Sequence, residues 1–254
     1  MPLLELDDAQ LNVQLVEGDP HKPLLVFLHE GLGCIGMWKE FPDRLCAATG
    51  CAGLVYDRQG YGLSSPQPSP RSIHYLHQSA LAELPAVIER LAPGREHIVV
   101  GHSDGGSIAL IYAAARPQGL RGVISAAAHV FVEDVTIDGI HAILAAHNPA
   151  KMRALSRYHG DKAESVFSSW ADTWLAPWFR KWNIEYLLPA IACPLLAMQG
   201  SDDHYGSGAQ LDAIESGTPG ACQLLLPACG HSPHLEQPEA TLQAMSAFIN
   251  RLAE

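Results

Sequence analysis

A serine between glycines is the first chemical signal in the chain. Gly101-His102-Ser103-Asp104-Gly105, with Gly106 after it, follows the apolar run 97–100 and opens a helical pattern at 104–115. A strand, a tight turn and a helix in that order form the context in which a GxSxG elbow lifts a serine hydroxyl out of a sheet edge. Neighbours two residues to either side must lack bulk, hence Gly101 and Gly105, and the positive end of the next helix lies beneath the hydroxyl. A serine hydroxyl is a poor nucleophile until a base takes its proton, so the motif calls for a histidine and a carboxylate to orient it. Two later turns supply them. Gln199-Gly200-Ser201-Asp202-Asp203 follows the apolar run 194–198, and Cys229-Gly230-His231-Ser232-Pro233-His234 follows the run 222–226. The chain order is serine, acid, histidine, each group just past a predicted strand.

Those turns need a frame that brings strand ends together. Short continuous apolar runs recur at 24–28, 52–56, 97–100, 122–126, 194–198 and 222–226, with helical patterns at 37–48, 75–91, 104–115 and 238–252 between and after them. Strands that are apolar throughout are buried on both faces, as in a parallel sheet covered by helices. Strand alternating with helix predicts an α/β fold: an open, doubly wound, mostly parallel sheet of about eight strands, with ligands beyond the carboxyl ends. Segments 3–6 and 12–17 are expected to add an antiparallel hairpin at one edge. From 131 to 192 no buried-strand run occurs, only helical pieces at 140–146, 150–158 and 161–174. Such a length is too great for an ordinary connection, so a helical lid over 131–192 is expected, inserted after strand six into a core made of 1–130 and 193–254. Trp170, Trp174, Trp178 and Trp182 stand four apart within it, a spacing that shares one helical face, although Pro177 argues against one unbroken helix. They either glue the lid to the body or line an apolar pocket.

Composition narrows the function classes. The 254 residues are 48% hydrophobic and 17% charged, enough to build a large core. Sixteen Lys and Arg against 27 Asp and Glu leave a formal charge of −11, which repels nucleic-acid backbones. No apolar run is long enough to span a bilayer, and Glu5, Asp7 and Asp8 stand where a signal peptide would be basic. The expectation is a soluble, cytoplasmic protein with a small-molecule substrate and no nucleic-acid or membrane partner. Six cysteines (34, 46, 51, 193, 222 and 229) form no CxxC pair, so most are expected as buried, reduced thiols. His74 with His77, and His231 with His234, could share helix faces, but no third ligand converges on either pair, so no metal site is expected.

The motifs together resemble the α/β-hydrolase fold family over nearly the whole chain. The resemblance rests on His29-Glu30-Gly31-Leu32-Gly33, Asp57-Arg58-Gln59-Gly60-Tyr61-Gly62-Leu63-Ser64, the serine elbow, the 200–203 turn and Gly230-His231. It implies Ser103 as nucleophile, His231 as general base and later acid, and Asp203 as the orienting carboxylate, because the family's acid commonly stands three residues after this glycine. Some members place the acid after strand six, where this chain has Glu133 and Asp134. His234 is expected to pack or bond locally. The resemblance also implies an oxyanion hole from the backbone N–H groups of Gly31 and Asp104. Two departures stand out. Many relatives carry glycine where this chain has Glu30, and Asp104 adjoins the nucleophile, so both side chains are expected to turn to solvent or to a partner. Cys34 and Cys229 read as bystanders. The implied activity is a lid-bearing serine hydrolase acting on an ester or lactone of a small apolar carbonyl compound, without metal or organic cofactor. The alternatives are C–C bond hydrolysis of vinylogous diketones and non-catalytic binding of a small ligand. Serine at 103 argues against haloalkane dehalogenase and epoxide hydrolase chemistry, whose enzymes carry aspartate there.

Overall fold

The computed structural model describes residues 3–6, 9–67, 70–146 and 149–252; Asp7 and Asp8 lie outside them. Its sheet has eight strands: β1 (Leu3–Leu6), β2 (Ala9–Val16), β3 (Leu24–Leu28), β4 (Gly53–Tyr56), β5 (His97–His102), β6 (Leu120–Ala126), β7 (Leu195–Gly200) and β8 (Cys222–Leu226). They lie in the order β1-β2-β4-β3-β5-β6-β7-β8. The β1–β2 and β2–β4 pairs are antiparallel and every other pair is parallel. The expected edge hairpin is therefore β1–β2.

Apolar runs without alternation work here because both faces are covered. Leu25, Phe27, Val55, Ile98, Val100 and Ile124 enter one core, while Val26, Leu28, Leu54, Val99 and Val123 enter the other. Each fully buried Leu, Ile, Val or Phe contributes about 1.5–3 kcal/mol. Strand β8 departs from the expectation: Cys222 is exposed and Leu225 is 52% exposed, because β8 is an edge strand.

The helical pattern at 37–48 is broken. A 3₁₀ turn Ile35–Trp38 ends at Lys39, whose φ of 54° is left-handed, and α1 (Phe41–Thr49) restarts with Pro42 in its first turn, where no N–H is needed. Residues 75–91 are continuous: α2 (Tyr75–Gln78), a π turn Ser79–Glu83, then α3 (Leu84–Leu91). Pro85 has no N–H to bond back to Leu81, and the π turn lies immediately before it. Helix α4 (Asp104–Ala114) is buried on all sides from Asp104 to Ala113.

Residues 131–192 form α5 (Asp134–Ala145), α6 (Pro149–His159), α7 (Ala163–Leu175) and a 3₁₀ turn Glu185–Ala190. The two ends of this excursion are pinned together by the antiparallel bridge Phe131–Asn183 and by Ile184 N–H donating to Val130 O. The four tryptophans do not share one helix. Ala176, extended ahead of Pro177, ends α7. Trp170 and Trp174 are buried on α7, Trp182 packs back on Trp174 with ring centroids 5.9 Å apart, and Trp178 is 47% exposed. The chain then returns through α8 (Gly208–Gly217), α9 (Pro233–Glu236) and α10 (Pro238–Leu252). Helices α1 and α10 cover one face of the sheet; α3, α4 and α8 cover the other.

Candidate active site

Parallel strands end on one edge of the sheet, and β5, β6, β7 and β8 are consecutive neighbours. The turns after β5, β7 and β8 therefore meet, although His231 stands 128 residues from Ser103 and 28 from Asp203 in sequence.

Ser103 has φ 54° and ψ −117°, a conformation that a serine adopts only when its surroundings impose it. They do so by close approach. A Cβ on Gly101 would lie 2.1 Å from the carbonyl oxygen of Gly105, and one on Gly105 would lie 2.0 Å from that of Leu28. The turns after β7 and β8 are equally tight, since a Cβ on Gly200 would lie 2.1 Å from the Cys229 oxygen and 2.3 Å from the Gly230 oxygen. That contact carries Asp203 to His231.

The sequence-predicted side chains converge. His231 Nε2 lies 2.9 Å from Ser103 Oγ, and His231 Nδ1 lies 2.8 Å from Asp203 Oδ2 and 3.0 Å from Oδ1. Asp203 Oδ1 also accepts from the Tyr205 N–H at 2.8 Å. Its side chain is 1% exposed, that of His231 14%. Burial opposes the charge on Asp203, but the bonds from His231 and Tyr205 outweigh it and hold the carboxyl below its usual range. Nδ1–H is thus donated to the carboxylate, which leaves the Nε2 lone pair directed at the serine hydroxyl.

The other acids stand elsewhere. Asp202 is exposed and accepts from Ser201 Oγ. Glu133 accepts from Ser207 and Gln210, and Asp134 pairs with Arg180. His234 packs at 4.7 Å against Trp38 and 5.7 Å from Phe41, and burial, with His102 beside it, lowers it to about 3. His74 and His77 have ring centroids 5.7 Å apart, and no group of three or more potential metal ligands occurs among the described residues.

Gly31 and Asp104 both line the cavity of about 260 Å³ that opens at Ser103. Asp104 begins α4, so its N–H has no acceptor within the helix. A Cβ on Gly31 would lie 2.5 Å from Trp170 Cδ1 and 3.3 Å from Asp104 Cγ, so only glycine fits there without displacing the indole. Neither departure residue turns to solvent. The Asp104 carboxylate, 1% exposed as a residue, accepts from Tyr75 Oη at 3.0 Å. Glu30 faces His102, with Oε2 3.7 Å from Nδ1. Burial opposes the charge on Glu30, yet the adjacent imidazole outweighs it and holds the carboxyl down to about 2; burial likewise opposes a charged His102, and Glu30 pushes it up.

Three members of this site escaped the sequence reading. His102 braces the loop that carries His231, its Nε2 2.7 Å from the His231 carbonyl oxygen. His129 Nε2 donates to the Tyr205 oxygen at 2.9 Å, and its ring stands 5.0 Å from that of Trp174. The Tyr205 ring lies 4.8 Å from the His231 ring. Only His102 left a signal: an unsatisfied Glu30 required a cationic partner. Trp170, Trp174, Thr136 and Ile140, all from the 131–192 excursion, form much of the cavity wall.

All six cysteines are free. Cys34, Cys46, Cys51 and Cys229 are buried, Cys193 is half-buried and Cys222 exposed. Burial raises Cys34 to about 12 and Cys229 to about 11, so neither is a thiolate nucleophile at neutral pH. Among the described residues, no helix is long and apolar enough to cross a membrane.

Known proteins share this arrangement of chain. The proline iminopeptidase of Levilactobacillus brevis is 39% identical over 116 residues, 44% of this chain and 37% of that protein. The match thus spans little more than a third of that relative's length. Among solved structures, the enol-lactonase from Burkholderia xenovorans LB400 superposes with a TM-score of 0.76 at 19% identity, covering 98% of this chain and 99% of that one. The proline iminopeptidase of Mycobacterium smegmatis gives 0.75 at 19% identity, covering 99% and 98%. At such identities the likeness is one of fold. The alpha/beta hydrolase family profile, by contrast, matches this sequence itself over residues 25–244, most of the chain, and the protein belongs to that family.

Proposed function

We propose that this protein is a serine hydrolase that opens an ester or lactone of a small, largely apolar carbonyl compound. The observation that carries the reading is the unbroken line Ser103 Oγ, His231 Nε2, His231 Nδ1, Asp203 Oδ2, with both links under 3 Å. His231 takes the hydroxyl proton as Oγ attacks the carbonyl carbon. The tetrahedral oxyanion is met by the N–H groups of Gly31 and Asp104, a contribution of about 100- to 1000-fold per donor in comparable sites. His231 then protonates the leaving oxygen, an acyl group stays on Ser103, and the same imidazole activates the water that releases it. Asp203 keeps the ring oriented and stabilises its charged form.

The excursion 131–192 acts as a lid. Trp170, Trp174 and Ile140 give the cavity an apolar wall, which favours an uncharged acyl or alcohol group of modest size. A second reading, aminoacyl-group hydrolysis, draws on the iminopeptidase relatives and on the Glu30 carboxylate in the cavity lining, which suits a substrate ammonium.

Fluorophosphonate labelling is expected on the native chain and lost in Ser103→Ala. A panel of p-nitrophenyl esters, lactones, vinylogous diketones and aminoacyl p-nitroanilides then separates the substrate classes. Equal labelling of Ser103→Ala overturns the nucleophile assignment.

A further inference from the structure

Helix α6 offers little to the core. Its residues from Pro149 to Tyr158 are exposed or half-buried, and His159, at its last position, is the one buried residue in it at 2% exposed. A buried imidazole must satisfy both ring nitrogens or bear the cost of desolvating them. His159 satisfies both, and does so with main chain from outside the 131–192 excursion. Its Nδ1 lies 2.8 Å from the Gly62 nitrogen and its Nε2 2.9 Å from the Leu32 oxygen. A main-chain N–H can only donate and a carbonyl can only accept, so Nδ1 carries the lone pair and Nε2 the proton. Burial lowers the ring's pKa and Lys162 adds to that, outweighing Leu32, Asp57 and Glu30, which raise it. The neutral ring that both bonds require is thus the form present at neutral pH.

Both partners belong to loops near Ser103. Leu32 lies in the turn Glu30–Gly33, which is closed by Gly33 N–H donating to the Glu30 oxygen at 3.1 Å and which contains Gly31. From the body, Arg58 Nη2 donates to the same Glu30 oxygen at 2.9 Å. The carbonyls on either side of Gly31 are therefore held by different parts of the chain, Glu30 by the body and Leu32 by the excursion. Gly62 belongs to the 57–64 loop, where Asp57 accepts from the Leu63 N–H at 2.8 Å and from the Ile35 N–H at 2.6 Å. The imidazole stands where the excursion meets two loops that are already tied to each other. Its neighbours make more peripheral contacts: half-buried Tyr158 meets Lys39, and half-buried Lys162 donates from Nζ to the Ser64 oxygen at 2.7 Å.

We infer that His159 is a positioning residue: one imidazole couples the seating of the lid to the turn that presents Gly31, so α6 cannot shift without releasing the Leu32 carbonyl. The catalytic consequence rests on the hydrolase reading, whereas the coupling itself does not.

Hydrogen exchange of the full chain tests the coupling. The Gly33 and Ile35 amides bond to Glu30 and Asp57, so their exchange reports the turn and not the lost imidazole. In His159→Leu both are expected to exchange about tenfold faster or more. His159→Gln, whose amide offers one acceptor and one donor group, should stay within about threefold of native. Lys162→Met, which loosens the same end of the excursion elsewhere, should also stay within about threefold. On a p-nitrophenyl ester, His159→Leu should lose about tenfold or more in kcat with KM little changed, and glutamine should restore most of it. Native exchange at Gly33 and Ile35 in His159→Leu, equal acceleration in Lys162→Met, or no rescue by glutamine in either readout would each overturn the coupling. So would an imidazole nitrogen NMR spectrum of the native chain showing the Nδ1–H form, a readout that stands even if the leucine variant does not fold. A native chain that turns over no substrate of the panel and takes no fluorophosphonate overturns the hydrolase reading alone.

Discussion

His102 donates from Nε2 to the main-chain oxygen of His231 across 2.7 Å, while its other ring nitrogen faces Glu30. The residue before Ser103 thereby braces the loop that carries His231. Tightly packed parts of one sheet edge thus share a single hydrogen-bonded unit, which gives several of its residues distinct and measurable roles.

The acid should be Asp203 and not its neighbour. Asp203→Asn is expected to lower kcat on a p-nitrophenyl ester by about 10³- to 10⁴-fold, as loss of the orienting carboxylate does in comparable triads. Asp202→Asn, on an exposed carboxylate, should stay within about threefold of native. The opposite ranking would move the acid by one position.

Replacing the elbow glycine Gly105 by alanine should be severe, because its Cβ would lie 2.0 Å from a backbone oxygen that cannot move aside. A loss of about 3 kcal/mol or more is expected from such overpacking, read by thermal unfolding. Gly208→Ala, whose Cβ meets nothing within 4 Å, should change stability by no more than about 0.5 kcal/mol.

Glu30 and His102 should each leave a separate mark on stability against pH. The Glu30 carboxyl is depressed in the folded protein to about 2, so its stabilising effect is complete above its unfolded value near 4.5 and fades as pH falls toward 2. His102 is raised, so its contribution is complete below about 6.5 and is lost as pH rises through its folded value. In unfolding series, the deficit of Glu30→Gln, on the order of 1–3 kcal/mol near pH 5–6, should shrink at the acid end. That of His102→Gln should shrink at the alkaline end. A deficit flat across pH in both variants would refute the ion pair.

His234 is expected to be dispensable for turnover. His234→Phe preserves the packing on Trp38 and should keep kcat within a few-fold, whereas His231→Phe should abolish turnover. The folded His234 is depressed to about 3, so the native chain loses stability as pH falls from about 6.5 toward 3. The phenylalanine variant should be less acid-sensitive over that range.

Much of this molecule was legible along the chain. The bounds of β1, β3, β8 and α10 agree with the pattern to the residue, because an apolar run ended by glycine or by polar residues is a local property. The GxSxG turn, the two acidic candidates and the histidine were visible for the same reason, each being a short motif past a strand. The split at Lys39 and the scattering of the four tryptophans were less so. A left-handed residue and an extended residue before Pro177 each interrupt what periodicity alone would join.

Other features belong to the tertiary structure. Whether Asp202 or Asp203 reaches the ring depends on how Gly200 abuts Cys229 and Gly230, a contact between turns some thirty residues apart. That β8 is an edge follows from strand order. Likewise Glu30 against His102 and His129 against Trp174 are pairings between residues far apart in sequence. Periodicity records which side a residue faces, whereas burial and electrostatics depend on what the rest of the chain places opposite it.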